Sequence, residues 1–402
     1  MDSRPLHPAV FSAIILRKSL DRPAHLENAM PLVDAFGRTI DYMRVSVTDR
    51  CNFRCVYCMP EEGITTAPAE CMLTFEEIVR IVQVAASLGI SKVRITGGEP
   101  LVRKDLPTLV QALAAIPGIQ DLAMTTNGYL LGRYATELAS CGLKRVNVSL
   151  DTLRPDRFPR VARRGDLQTV LDGIAAAMKA NLTPVKINVV AMRGINDDEV
   201  ADFARLTLER PINVRFIELM PINWAAGDDD LNSLVSLVAR NRIHRQTSAG
   251  LGTLGNSLEA DALPGNSGML DASQMRKLFV SAAELRKRIE AECGPLVPSE
   301  LPGNGPAYTF RLRGGQGTVG FISQISHDAC LRCNRIRLTA DGHLRPCLMT
   351  QGEINVRDRL RARADDAEIA HLIRQTVLRK PLEHNLDKGA APTGRTMNQL
   401  GG

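Results

Sequence analysis

Six stretches with the composition of β-strands alternate with amphipathic, helix-like stretches between residues 43 and 219. The segment 74–89 is typical of the predicted helices. Strands that alternate with helices form parallel sheets through right-handed crossovers. The sequence therefore predicts an α/β fold with an incomplete (β/α)6 barrel of the TIM type over about residues 39–222. Its predicted strands cover residues 43–48, 92–96, 122–126, 145–150, 184–190 and 212–219.

Polar residues alternate with apolar ones along most of these strands, although parallel barrels are usually filled by Val, Ile and Leu. The apolar positions include Val45, Val47, Val93 and Ile95. Because successive strand residues point to opposite faces, the apolar set should pack under the helices and the polar set should face the lumen. The polar set is Arg44, Ser46, Thr48, Arg94, Thr96, Asn147, Ser149, Lys186, Asn188, Asn213 and Arg215.

The cations in the polar set predict the kind of ligand that the lumen holds. Buried cations are costly unless they have partners, so we expect a polar, anionic ligand. The alternative is an open sheet with one face exposed to solvent. The net charge of +6 agrees with an anionic ligand, but an ordinary solvated surface would give the same value.

Three cysteines, Cys51, Cys55 and Cys58, lie on the loop that follows the first predicted strand. Functional groups of such barrels lie at the C-terminal ends of the strands. Three thiolates can bind three irons of a [4Fe–4S] cluster and leave the fourth iron open, whereas electron-carrier clusters usually have four cysteines. A structural zinc site, the alternative, would need a fourth ligand, and the loop has no His.

A second group of three cysteines lies near the C-terminus, at Cys330, Cys333 and Cys347. A second open cluster is one interpretation, and a zinc site completed by His327 or His343 is the other. Arg335 and Arg337 share one face of a strand beyond Cys333. Paired guanidinium groups suit a phosphate chain, although a surface salt-bridge pair would show the same pattern. The isolated Cys71, Cys141 and Cys293 are predicted to be buried structural thiols.

The spacing C-x3-C-x2-C, with Tyr57 before the last cysteine and "GGEP" at 97–100, resembles the radical S-adenosylmethionine superfamily. Further motifs resemble the GTP 3′,8-cyclase family (molybdenum cofactor biosynthesis protein A), over about residues 31–222 and 279–402. These motifs are DYMRVSVTDRCNFRCVYCMP, KVRITGGEPLVR, RVNVSLD, RFIELMP, CNRIRLTADGHLRPCL and the terminal LGG. The alternatives are a radical enzyme with an auxiliary cluster that acts on a peptide, and a non-catalytic zinc or nucleic-acid-binding module.

The resemblance implies two [4Fe–4S] clusters, one on each cysteine triad, and S-adenosyl-L-methionine as cofactor. The open iron of the first cluster would bind the methionine end of the cofactor, whose reductive cleavage gives a 5′-deoxyadenosyl radical. The open iron of the second cluster would bind the guanine of GTP. The cofactor contacts implied by the resemblance are Tyr57, Gly98, Ser149 and Met220.

The implied reaction is the first step of molybdenum cofactor biosynthesis. The radical takes hydrogen from ribose C3′, and the C3′ radical adds to guanine C8 to form (8S)-3′,8-cyclo-7,8-dihydroguanosine 5′-triphosphate. The implied GTP contacts are Arg44, Arg94, Thr125, Lys186, Arg335, Ile336 and Arg337, to which the strand pattern adds Arg215. The resemblance also implies that Gly401 and Gly402 reach into the active site and are needed for activity, whereas an unstructured tail is the alternative.

Three further segments flank the barrel. Residues 1–38 are predicted to be an N-terminal extension, and residues 223–278, rich in Gly, Ser, Asp and Asn, a flexible insertion. Residues 279–402 should form an α+β region that carries the second Fe–S site. Its predicted elements are a helix at 281–292 and strands near 307–313, 317–323 and 335–340.

Cellular context is predicted partly from composition and partly from the resemblance. The apolar stretch 9–16 is too short to span a membrane, and no basic block indicates nucleic-acid binding. We expect a cytoplasmic protein with neither membrane nor nucleic acid as partner. The resemblance implies a flavodoxin- or ferredoxin-like reductant, a downstream cyclic pyranopterin monophosphate synthase, and a homodimer.

Overall fold

The computed structural model describes residues 31–220, 270, 272–299, 305–326, 330–384 and 395–401. The first six strands are β1 Tyr42–Ser46, β2 Lys92–Thr96, β3 Asp121–Thr126, β4 Arg145–Ser149, β5 Lys186–Ala191 and β6 Asn213–Glu218. The helices between them are α1 Phe75–Ser87, α2 Leu106–Ala114, α3 Leu131–Ser140, α4 Phe158–Val161, α5 Leu167–Lys179 and α6 Val200–Glu209. The predicted α/β barrel fold and its six strands are confirmed.

The C-terminal region mixes short strands and helices, as predicted. Its helices are α7 Ala272–Leu278, α8 Ala282–Cys293, α9 Arg357–Arg361 and α10 Asp366–Leu378. Its strands are β7 Leu296–Pro298, β8 Tyr308–Leu312, β9 Thr318–Ile322, β10 Arg335–Leu338, β11 His343–Arg345 and β12 Ile354–Asn355. No helix among the described residues has the length and apolar character needed to cross a membrane.

All twelve strands join one sheet in the order β12-β11-β10-β1-β2-β3-β4-β5-β6-β9-β8-β7. Strand β10 pairs in parallel with β1, and β9 pairs in parallel with β6. The C-terminal region therefore extends both edges of the six-stranded barrel sheet. This arrangement brings the loops around β10, which carry the second cysteine triad, beside the first strand of the barrel.

The apolar strand faces pack under the helices, as the alternating pattern predicts. Val45, Val47, Val93 and Ile95 are at most 1% exposed and belong to the main core. Helix α1 presents its buried face to this core and begins at a capping box, in which Thr74 and Glu77 each accept a hydrogen bond from the other's backbone N–H. The opposite strand faces are left to line the lumen.

The structure is folded in two places where the sequence predicted an N-terminal extension and a flexible insertion. Part of the predicted extension is folded, because a β-bridge joins Val33 to Thr39 and Leu32 is buried in the core. Helix α7 lies within the predicted insertion at 223–278, while residues 221–269 lie outside the described residues. The cysteines outside the triads, Cys71, Cys141 and Cys293, are half-buried rather than fully buried.

Candidate active site in the barrel lumen

A cavity of about 340 Å³ lies in the barrel lumen. All six cysteines of the two triads line it, and none of the six forms a disulfide bond. The fold therefore brings two distant parts of the chain to one cavity. The predicted cofactor and substrate residues that line it are Arg44, Tyr57, Arg94, Gly98, Thr125, Ser149, Lys186, Arg215, Met220, Arg335 and Arg337.

Four other predicted side chains do not line the cavity. Ile336 is 0% exposed in the main core, because it points to the opposite face of β10 from Arg335 and Arg337. The polar strand residues that are buried elsewhere are Ser46, Thr48 and Asn213. Strand alternation alone explains Ile336, and Asn213 is occupied by a hydrogen bond from the Thr318 hydroxyl to its side-chain oxygen at 3.0 Å.

The first cysteine triad lies on the loop after β1, as predicted. The Cys58 N–H donates to the Cys55 carbonyl oxygen at 2.8 Å, and the Phe53 N–H donates to the Cys51 sulfur at 3.4 Å. Burial raises the pKa of Cys51 to about 11 and that of Cys58 to about 12. A bound metal would supply the positive charge that keeps such thiols deprotonated. The donor set therefore fits a metal cluster better than a free reactive thiol.

The two glycines of the "GGEP" loop allow it to pack directly against the cysteine loop. The Gly98 N–H donates to the Thr48 carbonyl oxygen at 2.7 Å. A Cβ at Gly97 would lie 2.7 Å from that same oxygen, and a Cβ at Gly98 would lie 2.4 Å from the Arg50 carbonyl oxygen. These glycines are therefore required by backbone contact between two loops, in addition to any approach to a ligand.

Glu99 ties the loops after β2 and β3 together below the first triad. Its carboxylate is fully buried and accepts hydrogen bonds from the Leu101 N–H, the Thr126 hydroxyl and the Asn127 N–H, at 3.0, 2.7 and 2.6 Å. Burial raises its pKa to about 7. The Asn127 side chain in turn donates to the Asn52 side-chain oxygen at 2.8 Å, within the cysteine loop. Glu99 thus helps to position the first triad.

Tyr57 is held against the end of β4 by a buried carboxyl group. Its hydroxyl donates to Asp151 Oδ2 at 2.8 Å, and Asp151 Oδ1 accepts from the Val190 N–H at 2.8 Å. Burial raises the pKa of Asp151 to about 6. Burial, followed by the nearby Asp151 charge, raises the pKa of Tyr57 well above its usual value. The ring of Tyr57 is therefore fixed beside the cysteines as a neutral phenol.

The second triad lies on two loops at the β10 edge of the lumen. Cys330 and Cys333 precede β10, and Cys347 follows β11. The Cys333 N–H donates to the Cys330 carbonyl oxygen at 2.9 Å. Burial alone would raise the pKa of Cys333, but the positive charges of Lys380 and Arg335 outweigh it and lower the pKa to about 7. Two cations therefore act on Cys333 strongly enough to reverse the effect of burial.

Three arginines lie side by side across β10, β1 and β2. Arg337 is opposite Arg44 in one strand pair, and Arg44 is opposite Arg94 in the next. Burial, followed by the charge of Arg337, lowers the pKa of Arg44 well below its usual value. Among the described residues, the buried Nε of Arg44 has no hydrogen-bond partner. A polyanion would supply both an acceptor and the balancing charge.

Lys186 and Arg215 continue the positive wall on β5 and β6. Burial, followed by neighbouring arginine charges, lowers the pKa of Lys186 to about 7 and that of Arg215 to about 9. Arg215 donates to the Asn188 side-chain oxygen at 3.0 and 2.6 Å, which fixes its guanidinium group in the lumen. The wall is therefore set in place before any anion binds.

Two ion pairs lie at the floor of the lumen. Lys92 pairs with Asp41 at 2.7 Å, and Arg145 pairs with Asp121. These residues stand at or just before the starts of their strands. Within the part of the chain that the structure describes, the cavity cations that form no ion pair with a carboxylate include Arg44, Arg94, Lys186 and Arg215.

Comparison with known proteins agrees with this site. A sequence model of the Radical SAM superfamily matches residues 45–207, and one of Molybdenum Cofactor Synthesis C matches residues 268–386. The GTP 3′,8-cyclase of Moorella thermoacetica is 46% identical over 370 residues, which cover 92% of this chain and 99% of that protein. The chain belongs to the GTP 3′,8-cyclase family.

The GTP 3′,8-cyclase of Heliobacterium modesticaldum is also 46% identical, over 374 residues that cover 92% of this chain and 100% of that protein. Among solved structures, Streptococcus suis SuiB bound to S-adenosylmethionine matches at 16% identity with a TM-score of 0.42. That match covers 92% of this chain and 75% of the SuiB chain.

The C-terminal tail of this GTP 3′,8-cyclase family member is anchored before it reaches the lumen. The Arg395 side chain donates to both carboxylate oxygens of Asp341, at 3.2 and 2.8 Å, and to Glu353 at 2.7 Å. The buried Asn398 donates its side-chain N–H to the Asp49 carbonyl oxygen at 2.7 Å. These contacts fix the direction in which the tail enters.

Gly401 lies among the lumen arginines. Its carbonyl oxygen accepts hydrogen bonds from Arg44 at 2.9 Å and from Arg337 at 3.4 Å. Its φ is +74°, and a Cβ there would lie 2.7 Å from the Thr96 hydroxyl and 3.2 Å from the Ser46 Cβ. Glycine suits both the backbone angle and the narrow space. Gly402 lies outside the described residues.

Several residues that support the GTP 3′,8-cyclase site were not identified from the sequence. Glu99 and Asp151 lie just after strand ends, within the motifs "GGEP" and "SLD". Their position in the sequence could therefore have identified them as site residues. Lys380 and Arg38 gave no local signal, because they reach the loops of the second triad through hydrogen bonds to backbone carbonyl oxygens. Lys380 bonds to Arg335 and Pro346, and Arg38 bonds to Cys330.

Proposed function

We propose that this chain is a GTP 3′,8-cyclase that converts GTP to (8S)-3′,8-cyclo-7,8-dihydroguanosine 5′-triphosphate, the first step of molybdenum cofactor biosynthesis. The observation that carries the proposal is that two cysteine triads and a wall of cations line the same cavity. Membership of the radical SAM superfamily supports one [4Fe–4S] cluster and S-adenosyl-L-methionine as cofactors. We propose a second [4Fe–4S] cluster on Cys330, Cys333 and Cys347.

At the first triad, Cys51, Cys55 and Cys58 would bind the first cluster. When bound, this cluster and S-adenosyl-L-methionine supply the radical chemistry that starts the reaction. The chain's own contribution is to orient the cofactor between the loops after β1, β2 and β4. The proposed cofactor contacts are Tyr57, Gly98, Ser149 and Met220, of which Tyr57 is fixed by its hydrogen bond to Asp151.

The triphosphate of GTP would lie along the positive wall, and the guanine would lie at the second triad. Because the cations are already buried and oriented, the site has little reorganisation left to make when the anion binds. The proposed GTP contacts are Arg44, Arg94, Thr125, Lys186, Arg215, Arg335, Ile336 and Arg337. Ile336 would contribute only its main chain, because its side chain faces the core.

Gly401 and Gly402 are proposed to complete the active site. The Gly401 carbonyl oxygen holds the Arg44 and Arg337 side chains through hydrogen bonds. The tail would therefore orient the arginines that bind the substrate and would keep water from the lumen. Both effects favour a reaction that requires ribose C3′ to be placed accurately and reactive species to be shielded.

Lys186 should take up a proton when the nucleotide binds. Its pKa of about 7 leaves it mostly neutral in the free protein at pH 8. The triphosphate favours the charged ammonium form, so binding at pH 8 should take up about one proton. Calorimetry of GTP binding in two buffers of different ionisation enthalpy measures this uptake. The Lys186→Arg variant, which stays charged, should bind GTP without it; equal uptake in that variant would assign the proton to another group.

The zinc alternative finds little support in the described residues. Zinc on the second triad would need a fourth ligand besides its three cysteines, and His327 and His343 are the candidates. His343 lies 3.2 Å from Asp341 Oδ2 and 3.3 Å from an Arg395 side-chain nitrogen. His327 lies outside the described residues. We therefore treat zinc as an outcome that metal analysis would detect.

The cellular role that we propose follows from family membership. The enzyme would act in the cytoplasm, accept electrons from a flavodoxin- or ferredoxin-like protein, and supply its product to a cyclic pyranopterin monophosphate synthase. It would do so as a homodimer. The reductant, the downstream enzyme and the dimer are each testable by binding or by measurement of mass in solution.

The test of the proposed function is anaerobic incubation of reconstituted protein with GTP, S-adenosyl-L-methionine and dithionite. We expect 5′-deoxyadenosine and a cyclised guanine nucleotide in equal amounts. ATP in place of GTP is the control and should give no cyclised product. Cofactor cleavage without any cyclised nucleotide would point to a peptide substrate, and a colourless protein that contains only zinc would refute radical catalysis.

A further inference from the structure

We propose that Lys380 is a positioning residue for the second cysteine triad, and that its ammonium group holds both cysteine loops and places a positive charge beside the metal cluster. This inference rests on the second cluster of the proposed function. It concerns residues of the chain that the sequence motifs do not include.

Lys380 lies just beyond α10 and is 3% exposed. Its Nζ donates to the Arg335 carbonyl oxygen at 2.8 Å and to the Pro346 carbonyl oxygen at 2.9 Å. Its positive charge helps to lower the pKa of Cys333. Pro346 immediately precedes Cys347, and Arg335 follows Cys333 by two residues. One ammonium group therefore joins the loop of Cys333 to the loop of Cys347.

The burial of Lys380 requires a nearby negative charge. A lysine is almost never fully buried unless it is paired, and two carbonyl dipoles only partly replace the lost hydration. Within the described part of the chain, no carboxylate forms an ion pair with it. The neighbouring Arg335 and Arg337 add positive rather than negative charge. Thiolates of the second triad that bind the proposed cluster would supply the balancing negative charge.

A second, partly buried cation keeps Lys380 in this position. Arg38 donates to the Leu382 and Pro381 carbonyl oxygens at 2.8 and 2.5 Å, and to the Cys330 carbonyl oxygen at 2.7 Å. The same guanidinium group is paired with Asp34 at 2.6 Å. Arg38 thus fixes the segment that follows Lys380 to the one cysteine that Lys380 does not reach. Together the hydrogen bonds of the two cations reach the backbone near all three cysteines of the second triad.

The expected consequence is a higher reduction potential for the second cluster. Reduction adds negative charge, and both net charge and hydrogen bonds to the sulfurs set the potential of such clusters. The Lys380 ammonium stabilises the reduced form more than the oxidised form. Its removal should therefore shift the potential to more negative values and leave the first cluster unchanged, because the first triad lacks this contact.

The test compares Lys380→Met with Lys380→Arg in the full chain, by anaerobic redox titration followed by electron paramagnetic resonance. Parallel titrations in a Cys51→Ala/Cys55→Ala/Cys58→Ala background isolate the second cluster. At the potential that half-reduces the wild-type second cluster, Lys380→Met should lower its reduced-to-oxidised ratio about tenfold, a shift of about 59 mV for one electron. Lys380→Arg, which keeps the charge, should shift it much less.

Iron analysis separates this inference from the proposed function. If the wild-type protein holds iron on the first triad only, the proposed second cluster is wrong. If the second cluster is present and Lys380→Met keeps full iron with an unchanged potential, the role of Lys380 is refuted. Lys380→Met and Lys380→Gln could instead lose the second cluster selectively while Lys380→Arg retains it. That result would support the proposal, because it would show that Lys380 holds the two cysteine loops together.

Discussion

Truncation after Leu400, which removes Gly401 and Gly402, should lower the rate of cyclisation by about 100-fold or more and leave both clusters bound. The Gly401 carbonyl oxygen accepts hydrogen bonds from Arg44 and Arg337. Without it, the two guanidinium groups lose the contact that orients them, and a misplacement of about 1 Å can cost this much in rate. The measurements are product formation under anaerobic conditions and iron content per chain.

Point variants distinguish loss of the tail from a local packing defect. Gly401→Ala should also be strongly impaired, because its Cβ would meet Thr96 and its φ is +74°. Gly294→Ala is the matched control, since Gly294 also has a positive φ, of +85°, but has open space around it. It should cost about 1–3 kcal/mol of stability, because its backbone angles suit glycine almost exclusively, and should not affect cyclisation. Normal turnover by the truncated protein would contradict the role of the tail.

Replacement of Cys330, Cys333 and Cys347 by Ala should halve the iron content and lower the yield of cyclised nucleotide by more than about 100-fold. The substrate would lose the metal that we propose to orient its base, while the first triad would stay intact. Cofactor cleavage to 5′-deoxyadenosine should therefore persist. Iron analysis and chromatography of both products measure the two effects in one sample.

The matched control replaces the three cysteines outside the triads. These residues, Cys71, Cys141 and Cys293, are half-buried and do not line the cavity. Their combined replacement by Ala should preserve the iron content and the yield of cyclised nucleotide. If the triad variant retained all of its iron, or if this control lost half of it, the assignment of the second cluster to Cys330, Cys333 and Cys347 would be wrong.

Local patterns in the sequence were sufficient to predict the barrel strands and the lumen cations. A period of two along a strand separates its faces, so the positions of Arg44, Arg94 and Lys186 in the lumen follow from their neighbours alone. The motif around Ile336 suggested that this residue contacts GTP. The alternation of strand faces instead places its side chain on the core side of β10, and the structure agrees with the alternation.

Contacts between distant segments were not predictable in this way. The parallel pairing of β10 with β1 places Arg337 beside Arg44, and no local pattern selects that partner. Arg38 contacts the carbonyl oxygen of Cys330 across 292 positions, and Gly401 contacts Arg44 across 357. The acceptors of these hydrogen bonds are backbone carbonyl groups. Every residue has one, so the residue type does not show which of them accepts a hydrogen bond.

The sequence by itself determined which residues can bind metal and anion: two cysteine triads at loop positions and a set of cations on one strand face. Only the tertiary structure decided that both triads line one cavity, that the C-terminal strands extend both sheet edges, and that Lys380 and Arg38 support the second triad. The physical reason is that side-chain chemistry and strand period are local properties, whereas strand pairing and burial depend on the whole folded chain.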